Sequence, residues 1–301
     1  MQFKYYAAAL LSFVVWGMFS LVLRPLSIYS SFDILTYRVA ASSILIVLVT
    51  LISRRKATKQ NIVLLQQLDK SGRNKFIFQT IISALTLALN WYLYIYVMNH
   101  ISVKATSLAY LICPILTTIL AALFLKEKLN IGQRASIGIS ILACGILSYG
   151  YFIDLVYSLF IALSYALYLV LQKSNIQFDK FFTLSIHILL SSMILVPYGL
   201  LTADNVIFPA SFYNYILIIA AFFTIGPLFL NMYALKGLDS SVVGILLYIN
   251  PIIAFGLAIY YFGESVSFLQ GIAYVLIFIA VILFNVSYLW RVNYNKKKVS
   301  Q

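Results

Sequence analysis

Arg38 has the clearest chemistry in this sequence and the least expected address. It stands five residues past Asp33 in SFDILTYRVA, where the long apolar run VAASSILIVLVTLI begins. A guanidinium is a planar fork of donors suited to a carboxylate or a phosphate, and inside hydrocarbon it is costly unless something pairs with it. At about 7 Å from its helix start by rise per residue, Arg38 is shallow enough to snorkel to the interface. Turned into a helix bundle, it would instead bind an anionic or zwitterionic ligand, or order an outer gate with a tyrosine or a carbonyl.

Aromatic and amide side chains supply the rest of a candidate cavity. Asn90, Trp91 and Tyr94 share one helical face, as do Tyr165 and Tyr168; Trp16, Tyr110, Asn231, Tyr248 and Asn250 also lie inside apolar runs. Most of the 23 tyrosines are expected to be interfacial anchors. Those at mid-span differ, because a buried hydroxyl or indole N–H needs a partner.

Pro114 and Pro251 sit about halfway along their runs, and Gly226-Pro227 interrupts another. A proline lacks the N–H that bonds four residues back, so Tyr110 and Leu247 lose the helical partner of their carbonyls. That deficit is expensive in lipid unless protein or cavity water meets it. The breaks therefore read as cavity or hinge positions, with a plain packing kink as the alternative.

The acids are as informative by their absence. All eight (Asp33, Asp69, Glu127, Asp154, Asp179, Asp204, Asp239 and Glu264) fall in loops or at span ends. His187 is the remaining titratable candidate at depth for proton coupling, with packing as its other role. Asp33 and Asp179 suit the N-termini of the second and seventh helices, and Glu127 and Glu264 are expected to tie off the ends of the fourth and ninth. Cys113 and Cys144 both lie in apolar spans and read as packing residues. The sequence holds no H-E-x-x-H, no G-x-S-x-G and no phosphate-cradling glycine loop, so no enzyme, metal or cofactor is expected.

Positioning these residues requires membrane helices. Of 301 residues 63% are hydrophobic and 10% charged, against roughly 25% charged in a soluble domain. Runs of about 20 apolar residues recur, the length that crosses a hydrocarbon core. They fall near 5–23, 34–52, 76–97, 101–125, 132–150, 153–172, 181–200, 212–235, 240–262 and 267–290. Continuous runs exclude a barrel, whose strands alternate. The first run is too long for a signal peptide and has no A-x-A site after it.

Lys and Arg collect on one side of a ten-span thread. Eighteen would lie with the loop holding Arg54, Arg55, Lys56, Lys59, Lys70, Arg73 and Lys75, leaving Arg24, Arg38 and Lys104 opposite. Both termini are thus expected in the cytoplasm. The net charge of +13 reads as attraction to anionic headgroups, with no nucleic-acid partner.

The chain also repeats itself. SLAYLICPILTTILAALFLKEKLNIGQ (107–133) aligns without gaps on GILLYINPIIAFGLAIYYFGESVSFLQ (244–270), matching Pro114 to Pro251, Glu127 to Glu264 and Gln133 to Gln270. NWYLYIYVMNH at 90–100 similarly falls on PLFLNMYALKG at 227–237. The expected halves are 1–150 and 151–301, with five spans each. An odd number inverts the second half, the arrangement of many carriers whose substrate site lies where the halves meet.

FVVWG, DILTYR, NWYLYIYVMNH followed by SLAYLICP, and the paired P-x12-E elements resemble the RarD-type proteins of the EamA branch of the drug/metabolite transporter superfamily. The resemblance implies an all-α membrane protein of ten helices in two inverted repeats. It also implies export or exchange of a small metabolite or drug, through a cavity lined mainly by the third, fourth, eighth and ninth helices. The bilayer and a small-molecule substrate are the implied partners, and a bacterial plasma membrane the implied location. Leu228 stands where the first half has Trp91, so the halves need not meet a ligand alike. A flippase for a lipid-linked substrate, or a non-transporting scaffold or sensor, stays open as an alternative.

Overall fold

The computed structural model describes residues 2–100, 103–149, 152–174, 177–202, 208–261 and 267–299, and within them every regular element is helical. Helices satisfy their own backbone groups, which lipid demands. The first span is α1 (Phe3–Gly17) and α2 (Phe19–Leu23), interrupted at Met18. The second, α3 (Ser31–Val49), loosens into a π-helical turn at Thr50–Arg54 and continues as α4 (Arg55–Gln67). Three long helices follow: α5 (Lys70–His100), α6 (Val103–Phe124) and α7 (Ile131–Ser148).

The sixth and seventh spans are α8 (Phe152–Ser174) and α9 (Lys180–Thr202). The eighth comprises α10 (Ala210–Ile218), a π-helical stretch at Ile219–Ile225, and α11 (Gly226–Ala234). The ninth is split into α12 (Ser240–Leu246) and α13 (Ile249–Tyr260), and α14 (Phe268–Val299) is the tenth. Eight stretches are long and apolar enough to cross a membrane, and two shorter apolar ones, Leu108–Phe124 and Ser240–Ala254, occupy the fourth and ninth places. The ten-helix membrane fold follows. α4 is the unanticipated element: its residues read as a polar loop, yet Leu64, Leu65 and Leu68 share a face that packs with Phe76, Phe178 and Phe182.

Packing brings the early and late spans together. α5 lies on α8 and α9, α6 on α8 and α12, α3 on α9, α1 on α11 and α13, and α7 on α14. Exchanging each of the first five spans for its counterpart among the last five turns α5 on α8 into α11 on α1, and α6 on α8 into α13 on α1. The pairs α3 with α9, α6 with α12 and α7 with α14 map onto themselves. Close crossings depend on small residues. A Cβ added at Gly244 of α12 would come within 2.8 Å of Thr117 in α6, tighter than van der Waals contact permits.

Polar side chains fix the helix starts. Asn130 and Gln133 exchange backbone bonds at α7, with Gln133 N donating to Asn130 Oδ1 at 2.8 Å and Asn130 N to Gln133 Oε1 at 3.0 Å. Asp33 lies in the first turn of α3, where the Ser30 side chain caps the helix. Asp179 accepts from the amides of Phe181 and Phe182, each at 3.1 Å, at the start of α9. Glu264 lies outside the described residues.

Candidate functional site

Arg38 points into the bundle. Its guanidinium lies 5.0 Å from the ring centroid of Trp91 on α5, within cation–π range. Its Nε is buried without a hydrogen-bond partner. Among the described residues the ion pair present is Arg54 with Asp179, so no carboxylate meets Arg38. What surrounds it is aromatic. The phenols of Tyr94 and Tyr110 lie within electrostatic range of the guanidinium, and their rings meet at 5.6 Å between centroids.

The aromatic wall continues onto α8 and α1. Tyr110 is within electrostatic range of Tyr165, which stacks on Tyr168 and takes the edge of Trp16, both at 6.0 Å. Asn231 of α11 donates from Nδ2 to the Tyr165 hydroxyl at 3.3 Å, while its buried Oδ1 has no partner. Tyr168 donates to Met232 Sδ at 3.6 Å. Contacts therefore link Trp16, Arg38, Trp91, Tyr94, Tyr110, Tyr165, Tyr168 and Asn231 in a chain centred on Tyr110 and Tyr165. Only Arg38 among them carries a charge.

Backbone breaks hold this group in register. Pro227 has no N–H to offer the carbonyl of Phe223, four residues back; the indole N–H of Trp16 takes that carbonyl at 2.8 Å. The carbonyl of Pro227 in turn accepts from Ser12 Oγ at 2.8 Å. Pro114 lies inside α6, where Thr118 Oγ1 donates to its carbonyl and Thr117 Oγ1 to that of Cys113, each at 2.8 Å. Ahead of Pro251, which lies in the first turn of α13, the helix breaks at Leu247 and Tyr248, and Asn250 N donates to the Leu247 carbonyl at 3.1 Å. That tighter bond supplies Leu247 with a partner where the sequence leaves it none.

Other candidates stand apart from the centre. Asn90 is buried and spends its amide hydrogens on α8, donating to Ile161 O at 3.0 Å and Ser164 Oγ at 3.2 Å. It therefore positions Trp91 and Tyr94 by tying α5 to α8. Tyr248 is fully buried, its hydroxyl beside that of Ser140. Asn250 is half-buried, and its backbone carbonyl would be 3.1 Å from a Cβ at Gly17. His187 is buried, with its ring edge-on to Tyr168 at 5.8 Å and neither nitrogen hydrogen-bonded.

A second polar constellation closes one end of the bundle. Lys126 adopts a positive φ of 55° just past α6, an uncommon conformation for a side-chain-bearing residue, and turns the chain so that Glu127 faces α12. Glu127 ties off its own helix through its backbone, its N donating to the Ala121 carbonyl at 3.3 Å, while its side chain works elsewhere. Its carboxylate accepts from Ser240 N at 2.7 Å, Ser241 N at 3.1 Å and Ser241 Oγ at 2.6 Å, capping α12 from across the bundle. Lys173, at the end of α8, donates to the carbonyls of Leu235 at 3.0 Å and Leu238 at 2.5 Å. The turn between α11 and α12 is thus gripped by an anion at its helix start and a cation on its carbonyls, the pairing that helix dipoles favour. Tyr5 lies on the same turn, against Gly237, where no Cβ fits. Lys173 carries no sequence signal that separates it from other loop cations.

A family model described as the EamA-like transporter family matches residues 3–149 and again 153–286. An uncharacterized transporter YojE of Bacillus subtilis (strain 168) is 28% identical over 283 residues, covering 92% of this chain and 91% of that protein. Protein RarD of Escherichia coli (strain K12) is 27% identical over 289 residues, covering 92% of each. A solved crystal structure at 14% identity superposes with a TM-score of 0.71 over 93% of this chain and 98% of its own, a likeness of fold.

Proposed function

The chain belongs to the EamA-like transporter family and is a multi-pass membrane transporter, and on that premise we propose that it moves a small organic anion or zwitterion by alternating access. One observation carries the substrate class. Arg38 is held within the bundle against Trp91 with an unpartnered Nε and, among the described residues, no carboxylate beside it. A cation in low dielectric costs several kcal/mol when unpaired, and a π face offsets about 2 kcal/mol of that at best. A ligand carboxylate, taken by the fork and flanked by Tyr94, Tyr110, Tyr165 and Trp16, supplies the missing anion.

Two chain halves, 1–150 and 151–301, inverted relative to one another, account for how the site is exposed in turn to each side. The double family match and the packing pairs that survive exchange of the halves support that reading. With both termini in the cytoplasm of a bacterium, the grip of Glu127 and Lys173 on the α11–α12 turn lies at the cytoplasmic end. Its release opens the path inward. Export or exchange follows from the family, and His187, packed on Tyr168, is the group through which protons would be coupled.

The test begins with thermal-shift screening of amino acids, nucleobases, organic anions and amphenicols on detergent-purified protein. A stabilising compound is then followed across sealed proteoliposomes, with Arg38→Lys and His187→Gln beside wild type. Flux of a carboxylate-bearing solute that Arg38→Lys abolishes at equal protein abundance is the expected outcome. Unchanged flux returns Arg38 to a structural role. Movement of lipid-tethered cargo alone would make the protein a flippase, and stimulation by an imposed pH gradient that survives in His187→Gln removes that residue from coupling.

A further inference from the structure

The strongest unassigned feature is the outer face of α4. That helix is held between two spans, leaving α3 through the Thr50–Arg54 turn and entering α5 at Lys70, so it lies at the membrane surface. Its inner face is fastened. Leu64, Leu65 and Leu68 pack with Phe76, Phe178 and Phe182; Asn61 Oδ1 accepts from Asp179 N at 2.8 Å; and Arg54 just ahead of it donates from one nitrogen, Nη2, to both Asp179 oxygens at 2.8 and 2.9 Å. What remains outward is an open face formed by Arg55, Lys56, Lys59, Gln60, Val63 and Gln67.

This face differs from scattered loop charge. Arg55, Lys56 and Lys59 are exposed and, unlike Arg54, none of them meets an acid or a hydrogen-bond acceptor among the described residues. No acid occurs from residue 34 to residue 68, so nothing nearby in sequence neutralises them. Ile62 and Val63 are exposed beside the cations. Cations next to bare apolar side chains on a surface-held helix complement one environment in particular, an acidic headgroup with the start of its acyl chains below it.

We propose that α4 is a binding site for the phosphate headgroup of an anionic phospholipid, with Arg55, Lys56 and Lys59 on the phosphate and Val63 against the glycerol and upper acyl chain. The site is independent of the substrate reading at Arg38. Because Asp179 joins Arg54, the α4 residue Asn61 and the first turn of α9, the lipid would sit on a rigid junction of the second and seventh spans.

The experiment uses the full chain in detergent, titrated with phosphatidylglycerol and separately with phosphatidylcholine, with retained lipid counted by native mass spectrometry. The comparison is wild type, the triple variant Arg55→Gln/Lys56→Gln/Lys59→Gln, and a control that removes the same charge elsewhere, Lys296→Gln/Lys297→Gln/Lys298→Gln. Each cation near an anionic surface is worth roughly fivefold in affinity, so the α4 triple variant should lose on the order of a hundredfold for phosphatidylglycerol while the tail control keeps it. All three cations are exposed, so the fold should survive; an unchanged melting temperature checks this, and the charge-restoring Arg55→Lys/Lys56→Arg/Lys59→Arg variant should bind as wild type does. Equal losses in both triple variants, equal retention of phosphatidylcholine, or displacement by millimolar inorganic phosphate would each overturn the proposal.

Discussion

Three cations near or inside the bundle are treated in different ways. At the end gripped by Glu127, Lys173 finds the carbonyls of Leu235 and Leu238, and on the same side Arg54 finds both oxygens of Asp179. Arg38, toward the other end of α3, is given the face of Trp91 and an Nε with no partner. A charge that serves the fold is paired within the fold, since an unpaired one destabilises it. A charge left short of an anion among aromatics is stabilised fully only when something else arrives. The contrast separates the latch, which is complete in itself, from the site, which is not.

Replacing each kind of cation or its partner sharpens that contrast. The largest expected effect is on transport: Arg38→Ala should lower flux on the order of a hundredfold at equal membrane abundance, because truncating one member of a buried charge pair costs about 2 to 5 kcal/mol. Melting temperature should hold or rise, since the variant removes an unpaired, half-buried charge. A fall of several degrees with flux retained would make Arg38 a structural residue and erase the distinction.

Glu127→Ala comes next. It removes three acceptor bonds at the start of α12, worth about 1.5 to 3 kcal/mol for a charged group, and under the proposed alternating-access cycle should favour opening at that end. Labelling of Cys113, fully buried here, by an impermeant maleimide applied from the cytoplasmic side in a Cys144→Ser background should rise at least tenfold. If labelling is unchanged, the grip on the turn is not a gate.

Asp179→Ala should act on stability rather than flux. It deletes a helix cap worth about 1 kcal/mol and an ion pair whose members are 36% and 30% exposed, which solvent holds to about 1 kcal/mol or less. A loss of about 1 to 2 kcal/mol is expected in thermal unfolding of the purified chain. Trp16→Phe is the mildest, keeping the ring beside Tyr165 while leaving the Phe223 carbonyl bare, at about 1 kcal/mol by the same measurement. A drop in flux larger than the drop in stability would show that the indole N–H also meets the ligand.

Much of the fold was legible because hydrocarbon imposes a length on every span and expels charge to its ends. Arg24, the Arg54–Lys75 loop and Lys126–Lys128 mark those ends unaided. α4 was not legible: Gln, Asn and Lys dominate it, and the leucines at 64, 65 and 68 make sense only beside phenylalanines from two other helices. At the site, spacing was enough to group Asn90 with Trp91 and Tyr94, but not to divide their labour, since whether an amide faces a cavity or a neighbouring helix depends on where Ile161 lies. The proline at 227 announced a free carbonyl at Phe223; that Trp16, more than two hundred residues away, would take it is a fact of packing. Glu127 illustrates the same limit. Alignment with Glu264 marked it as special, yet its target is another helix, and no local pattern names that.

The bonds from Ser12 and Trp16 to the eighth span, and from Asn90 to the sixth, have a mechanical meaning. Each fastens a helix from early in the chain to one from late in it, coupling the first span to the eighth and the third to the sixth. Moving one member of such a pair strains its bonds to the other, so covalent order is a poor guide to which parts of this protein are stiff.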